Sequence, residues 1–310
     1  MEEKKDVDLS FYKVRSYSSC LIKGFKLFAD NLWTILKSTW TSILLFALCV
    51  AVCSFLYRPL ARLVFTFADP SSLPYFPQML FGILLVFLFV VATLASAFFG
   101  GQLTVLVRNY VQTGHLQYTG KGRLVKAAME PSGKLLAFDF IFLIKVAVLS
   151  GVFHYFVGFA WWSWFWDVLL ILAVFIPYTA FVVSHILDPK ACTFSLTSIK
   201  ELYKSWGAWS AVFFVSGLFC ALCAVFFSMP SFVLLFARSE SFFMELGGDL
   251  TDLPAAFNVM QLLIVFLSSA LSLFLFTTMY FSLLFMYGSL EKKKEEIALY
   301  EQEQQRLMQA

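Results

Sequence analysis

Few side chains in this chain could do chemistry, and most that could are set inside long apolar runs. Asp139 and Lys145 fall in the run 135–157 and Tyr178 in the run 163–187, while His154 and Asp167 stand near the facing ends of those two runs. A charge at membrane depth is costly, so each such residue calls for a partner, a hydrated cavity or a function. Lys145 lies beyond Lys134 in the same run, about 16 Å further along a helix axis and so near a bilayer midplane. Asp139 precedes Lys145 by a rotation of roughly 600°, which leaves the two side chains about 120° apart around the helix. They share a face poorly. A hairpin turn near Ala160 would bring His154 level with Asp167 and set Lys145 against Ile176, Pro177 and Tyr178. Lys145, Asp139 and Tyr178 are therefore candidate substrate-binding residues, and His154 with Asp167 is a candidate polar pair. The chemistry on offer is proton exchange or the binding of a substrate. The structural readings are a snorkelling or paired lysine and an interfacial polar contact, and the sequence favours both of these.

Other reactive groups lack the company that chemistry needs. Cys220-Ala-Leu-Cys223 has the spacing of a redox or metal half-site, but no second pair and no nearby histidine accompanies it. Cys49, Cys53, Cys220 and Cys223 stand in apolar runs, where cysteine behaves as a small hydrophobe. His115, His154 and His185 are the only histidines, and none sits in a zinc motif. There is no phosphate-binding loop and no nucleophile elbow. Gly247-Gly248-Asp249 with Asp252 is a faint echo of a calcium loop, outweighed by the reading as solvated carboxylates. No catalytic residue, metal or cofactor is assigned.

The elements that must position these residues follow from composition. Of 310 residues, 60% are hydrophobic and 14% charged, with mean hydropathy +0.79. A soluble domain is roughly a quarter charged, so one water-soluble core cannot hide this chain. The net charge of +3 is too small to point to an anionic partner. A crossing helix needs about 20 mostly apolar residues, and six runs qualify: 39–57, 77–107, 135–157, 163–187, 207–229 and 257–288. The predicted fold is all-α, a polytopic integral membrane protein with six transmembrane helices. The N-terminus does not read as a cleavable signal, because acidic residues are mixed with its basic ones. Ser96 with Gly100, and Ala97 with Gly101, make small-residue faces suited to close helix contact.

Charge distribution orients the spans. Of the 23 Lys and Arg residues, 19 lie before span one, between spans two and three, between four and five, or after six. The positive-inside rule then places both termini in the cytoplasm of a multi-pass protein of a plasma membrane, here read as a bacterial inner membrane. Trp33, Trp40, Trp206 and Trp209 flank entry points, and Trp161, Trp162, Trp164 and Trp166 crowd one outer turn, as interfacial anchors do. Residues 1–38 form a cytoplasmic lead-in, 39–290 the transmembrane domain, and 291–310 a charged helical tail. The first outer loop, Arg58 to Phe76, suggests a short interfacial helix on Leu60, Leu63, Val64 and Phe67. The third outer loop runs from Pro230 to Pro254.

Basic amphipathic surface helices are predicted before spans one, three and five. Their apolar positions are Leu21, Phe25, Phe28 and Leu32; Leu124, Val125 and Ala128; and Leu196, Ile199, Leu202, Tyr203 and Trp206. This pattern allows three hairpin units, 20–107, 121–187 and 193–290. The lead-ins from Phe25 to Trp40 and from Ser198 to Trp209, with six spans and a charged helical tail, resemble a loose group of bacterial six-span membrane proteins. That group includes the membrane domain attached to some glycerophosphodiester phosphodiesterases and related uncharacterised families. The resemblance covers most of the chain in layout, rests on no diagnostic motif, and implies no catalytic residue. The soluble phosphodiesterase domain is not among these residues.

The leading expectation is a non-enzymatic accessory or scaffold protein whose partners are the lipid bilayer and other membrane proteins, without nucleic acid. One alternative is a transporter of a small or lipidic solute through a site near Lys145. Another is a membrane enzyme acting on lipid headgroups, with His154 and Asp167 as its best pair.

Overall fold

The computed structural model describes residues 11–56, 75–117, 120–157, 165–167, 169–170, 178–179, 182–183, 205–246 and 255–309. No strand occurs among them. The long helices are α1 (Tyr17–Asp30), α2 (Leu32–Phe55), α3 (Tyr75–Thr113), α4 (Lys121–Val157), α5 (Trp206–Leu246) and α6 (Ala255–Gln309). A helix bonds its backbone within one segment, which is what an apolar surrounding demands. Among the described residues, five helices contain stretches long and apolar enough to cross a membrane: Leu32–Phe55, Gly82–Thr113, Gly122–Phe156, Trp206–Leu234 and Ala256–Met308. The predicted run 163–187 lies mostly outside the described residues, and those of its residues that are described are helical.

Several boundaries differ from the sequence expectation, each for a local reason. The lead-in helix ends at Asn31, whose amide N–H donates to the Phe28 carbonyl at 3.2 Å and whose Nδ2 donates to the Leu27 carbonyl at 3.0 Å. The spanning helix α2 therefore begins at Leu32. The basic stretch around Leu124, Val125 and Ala128 is no separate surface helix but the first part of α4, which continues through Pro131. The expected outer loop from Pro230 is helical as far as Leu246, because α5 also continues through its proline. A proline removes one helical donor, and a helix packed in an apolar setting tolerates that loss better than unwinding. The last span and the tail are one helix of 55 residues, about 80 Å long. Its charged end carries exposed pairs within the helix, Lys292–Glu295 at 2.9 Å and Lys294–Glu291 at 2.8 Å. The predicted interfacial helix on Leu60, Leu63, Val64 and Phe67, and the lead-in before span five at 196–203, lie outside the described residues.

The chain divides into two compact units. The first is drawn from Met1–Ser38, Gly100–Leu218 and Thr277–Ala310. In it, α1 starts at Ser16, whose hydroxyl accepts from the Ser19 amide. The helix buries Cys20, Gly24 and Phe28, one residue per turn along a single edge. A Cβ on Gly24 would stand 2.7 Å from the Ser282 Cα of α6, so only glycine permits this approach. Phe11 is 2% exposed and lies on Gly288, with its ring centroid 5.6 Å from that of Phe285. The Gly100–Gly101 pair of α3 meets α4: a Cβ on Gly101 would come 2.7 Å from the Ala128 carbonyl oxygen, and one on Gly100 would come 2.9 Å from Leu135 Cδ1. Small residues let helix backbones close up in this way. Gly114, at φ 76°, ends α3 with its amide bonded to the Tyr110 carbonyl at 2.8 Å.

The second unit comprises Thr39–Phe99 and Phe219–Phe276. Ile43, Ala47 and Ala51 form its buried edge on α2, again at one residue per turn. The hydroxyls of Ser231 and Ser268 are 3.3 Å apart, and Cys220 Sγ points to the Leu275 carbonyl at 3.5 Å, joining α5 to α6.

Candidate functional site

From Asp139 onward, α4 meets its neighbours along one narrow seam. Asp139, Phe142, Val146, Ser150, Phe153 and His154 are partly shielded, and every residue between them is exposed. Their spacing of three and four residues is that of one helical edge. Its polar members are all engaged. The Tyr178 hydroxyl donates to the Asp139 carboxylate, with the Phe142 and Tyr178 rings stacked at 4.7 Å. Nearer the end of α4, Ser150 Oγ donates to Asp167 Oδ1 at 2.7 Å, and His154 Nε2 lies 2.8 Å from Asp167 Oδ2. Phe153 and Trp166 pack beside them at 6.0 Å.

The structure thus brings His154 to Asp167 and Asp139 to Tyr178, while Lys145 lies off this edge. The roughly 120° between Asp139 and Lys145 is the reason: once Asp139 faces the neighbouring segment, Lys145 turns away with the apolar flank. It is exposed there, beside Ile144, Val148 and Leu149, where its long stem can carry the ammonium toward an interface.

Ser150, His154 and Asp167 have the composition of a hydrolytic triad but not its order. In a triad the imidazole bridges nucleophile and acid. Here the carboxylate is the centre, and serine and histidine each bond one of its oxygens. This arrangement can clip two helical segments together or pass a proton between carboxylate and ring. It does not activate the serine.

A second polar centre, which sequence reasoning missed, lies around Arg15 in the first unit. Its Nη1 donates to the carbonyls of Phe11 at 2.8 Å and Lys13 at 3.1 Å. The guanidinium carbon stands 5.5 Å from the centroid of the Phe285 ring, a cation–π distance. The Arg15 amide donates to Ser289 Oγ at 2.8 Å, and that hydroxyl lies 3.3 Å from the Arg15 carbonyl. Burial lowers the Arg15 pKa from its ordinary value and raises that of the nearby Cys20 thiol. Lys23 is also lowered, by burial first and then by the Arg15 charge. Beside this centre opens a cavity of about 1100 Å³, with Arg15, Ser289, Lys293, Lys294 and Glu301 among its polar lining. The sequence signal for this centre was slight: a serine cap after Arg15, and the small residues Gly24, Ser282, Gly288 and Ser289 at matching heights.

Among the described residues, no group of three or more His, Cys, Asp or Glu could hold a metal ion. Cys20, Cys49, Cys53, Cys220 and Cys223 are free thiols. Cys192, His185, Ile176 and Pro177 lie outside the described residues. Comparison of the chain with family models, with curated proteins and with solved structures finds no match.

Proposed function

We propose that this chain is a six-span protein of a bacterial inner membrane with both ends in the cytoplasm, acting without catalysis as an accessory or scaffold for lipids and partner membrane proteins. The observation that carries this reading is the flank of α4. Phe140, Leu143, Ile144, Val148, Leu149 and Val152 are all exposed beside a single contact seam. An apolar surface of that extent is stable only against lipid or another membrane helix. The distribution of Lys and Arg supports the orientation, and the layout resemblance to bacterial six-span proteins points the same way. The Asp-centred arrangement of Ser150, His154 and Asp167 gives little support to an enzyme.

Two measurements test the reading. A fluorescent protein fused after Ala310 is expected to be bright in cells and an alkaline phosphatase fused there inactive; the reverse result overturns the orientation. A photoreactive residue in place of Val148 is expected to label lipid or a membrane protein. Labelling confined to water-soluble proteins overturns the membrane placement.

The seam itself favours a second reading, proton-linked transport. It sets two carboxylates, Asp139 of α4 and Asp167 of the facing segment, at two depths along one edge of α4. This reading requires Asp167→Asn to abolish solute uptake while protein level holds, and it fails if uptake persists.

A further inference from the structure

We infer that the cavity beside Arg15 binds one anionic phospholipid, with its phosphate held by Arg15, Lys293 and Lys294 and its acyl chains lying along Leu290. This inference deepens the scaffold reading by naming a ligand, and it rests on that reading's placement of this end of α6 at a membrane surface. The cavity lies wholly within the first unit, between the segment before α1, the start of α5 and the end of the apolar part of α6.

The lining changes character along α6. Met286 and Leu290 come first, Lys293 and Lys294 about one turn later, then Ile297 and Glu301. A phospholipid has the same order of apolar chains followed by an anionic phosphate. A soluble phosphate would gain nothing from the apolar wall. Three basic residues line the cavity, and Glu301 is the one acid among its described lining residues. Arg15 is a positioned charge, held by two carbonyls and the Phe285 ring. Lys294 pairs with Glu291 in an exposed contact; such pairs are weak and exchange readily for a phosphate. The first turn of α5 adds Gly207 and Ala208 to the wall, and helix starts favour anions. At Gly207 a Cβ would meet nothing within 4 Å, so a ligand can come close to that backbone.

The test uses the full chain purified in neutral detergent, with bound lipid counted by native mass spectrometry in mixed micelles of phosphatidylglycerol and phosphatidylcholine. One retained phosphatidylglycerol per chain is expected. Lys293→Gln should lower the preference about fivefold, the effect of one lysine near a lipid phosphate. Lys292→Gln makes the same charge change at the neighbouring residue, outside the cavity lining, and should leave the preference unchanged. Equal losses in the two variants would mean diffuse attraction and overturn the site. No preference for phosphatidylglycerol in the parent chain also overturns it, as does displacement of the lipid by inorganic phosphate alone. The measurement does not depend on orientation, so its failure with the fusion results intact removes the lipid site and leaves the scaffold reading standing.

Discussion

Arg15 and Ser289 are 274 residues apart in sequence and joined twice, through the Arg15 amide at 2.8 Å and the Arg15 carbonyl at 3.3 Å. One hydroxyl thus satisfies both backbone groups of a residue that lies just before a helix. Ser289→Ala leaves a part-buried amide without its acceptor, a loss of about 1–3 kcal/mol. The expected outcome is a lowered unfolding midpoint in detergent; an unchanged midpoint would mean that water replaces the hydroxyl.

Gly24 offers a sharper case, because backbone faces it across the contact. Gly24→Ala must push α1 away from Ser282, at a cost of about 1–3 kcal/mol. Gly133 lies inside α4, where an added Cβ meets nothing within 4 Å. Gly133→Ala should stabilise the chain by roughly 0.5–1 kcal/mol, since alanine fits a helix interior better than glycine. Thermal unfolding of the two variants side by side is expected to move the midpoint in opposite directions.

Asp139 and Lys145 share a helix but not a role. Tyr178→Phe removes the hydroxyl that the Asp139 carboxylate accepts from, and should cost about 1–3 kcal/mol. Lys145→Leu replaces an exposed lysine on an apolar flank, and is expected to lower the midpoint less than Tyr178→Phe does. Loss of the folded protein in the lysine variant, as judged by size-exclusion profile, would place Lys145 in the structural core of the seam after all.

Cys20 is fully buried, and burial raises its thiol pKa. The folded chain therefore keeps this proton to higher pH than the unfolded chain does. Cys20's stabilising share is present below the unfolded thiol's pKa and is lost as pH rises through the raised, folded value. In a variant keeping Cys20 as its single cysteine, maleimide labelling at neutral pH should be slow in detergent and fast after denaturation, because thiolate is the reacting form. Fast labelling of the folded protein would contradict the burial of the Cys20–Gly24–Phe28 edge.

Much of the architecture is legible in composition. Apolar runs of about 20 residues admit little besides spanning helices, and five described helices carry such stretches. Helix ends are less legible. Pro230 read as a boundary, yet it sits inside a helix, as Pro131 does in α4, since turn chemistry learned from water weakens where an unpaired backbone has no solvent to bond. The seam of α4 was half readable. Its three-and-four spacing is in the sequence, but Phe140 and Leu143 are as apolar as Phe142 and Val146, so periodicity of hydrophobicity could not say which edge faces protein.

Sequence alone determined that this chain must place long apolar helices in a non-aqueous surrounding and keep its basic residues beside their ends, because hydrophobicity and charge count are sums over residues. Only the tertiary structure decided that Asp139 takes Tyr178, that Gly24 lies against Ser282, and that Arg15 is anchored to Ser289 beside a cavity lined with lysine. Those contacts depend on which helix faces meet, a matter of close packing between distant segments that no local pattern encodes.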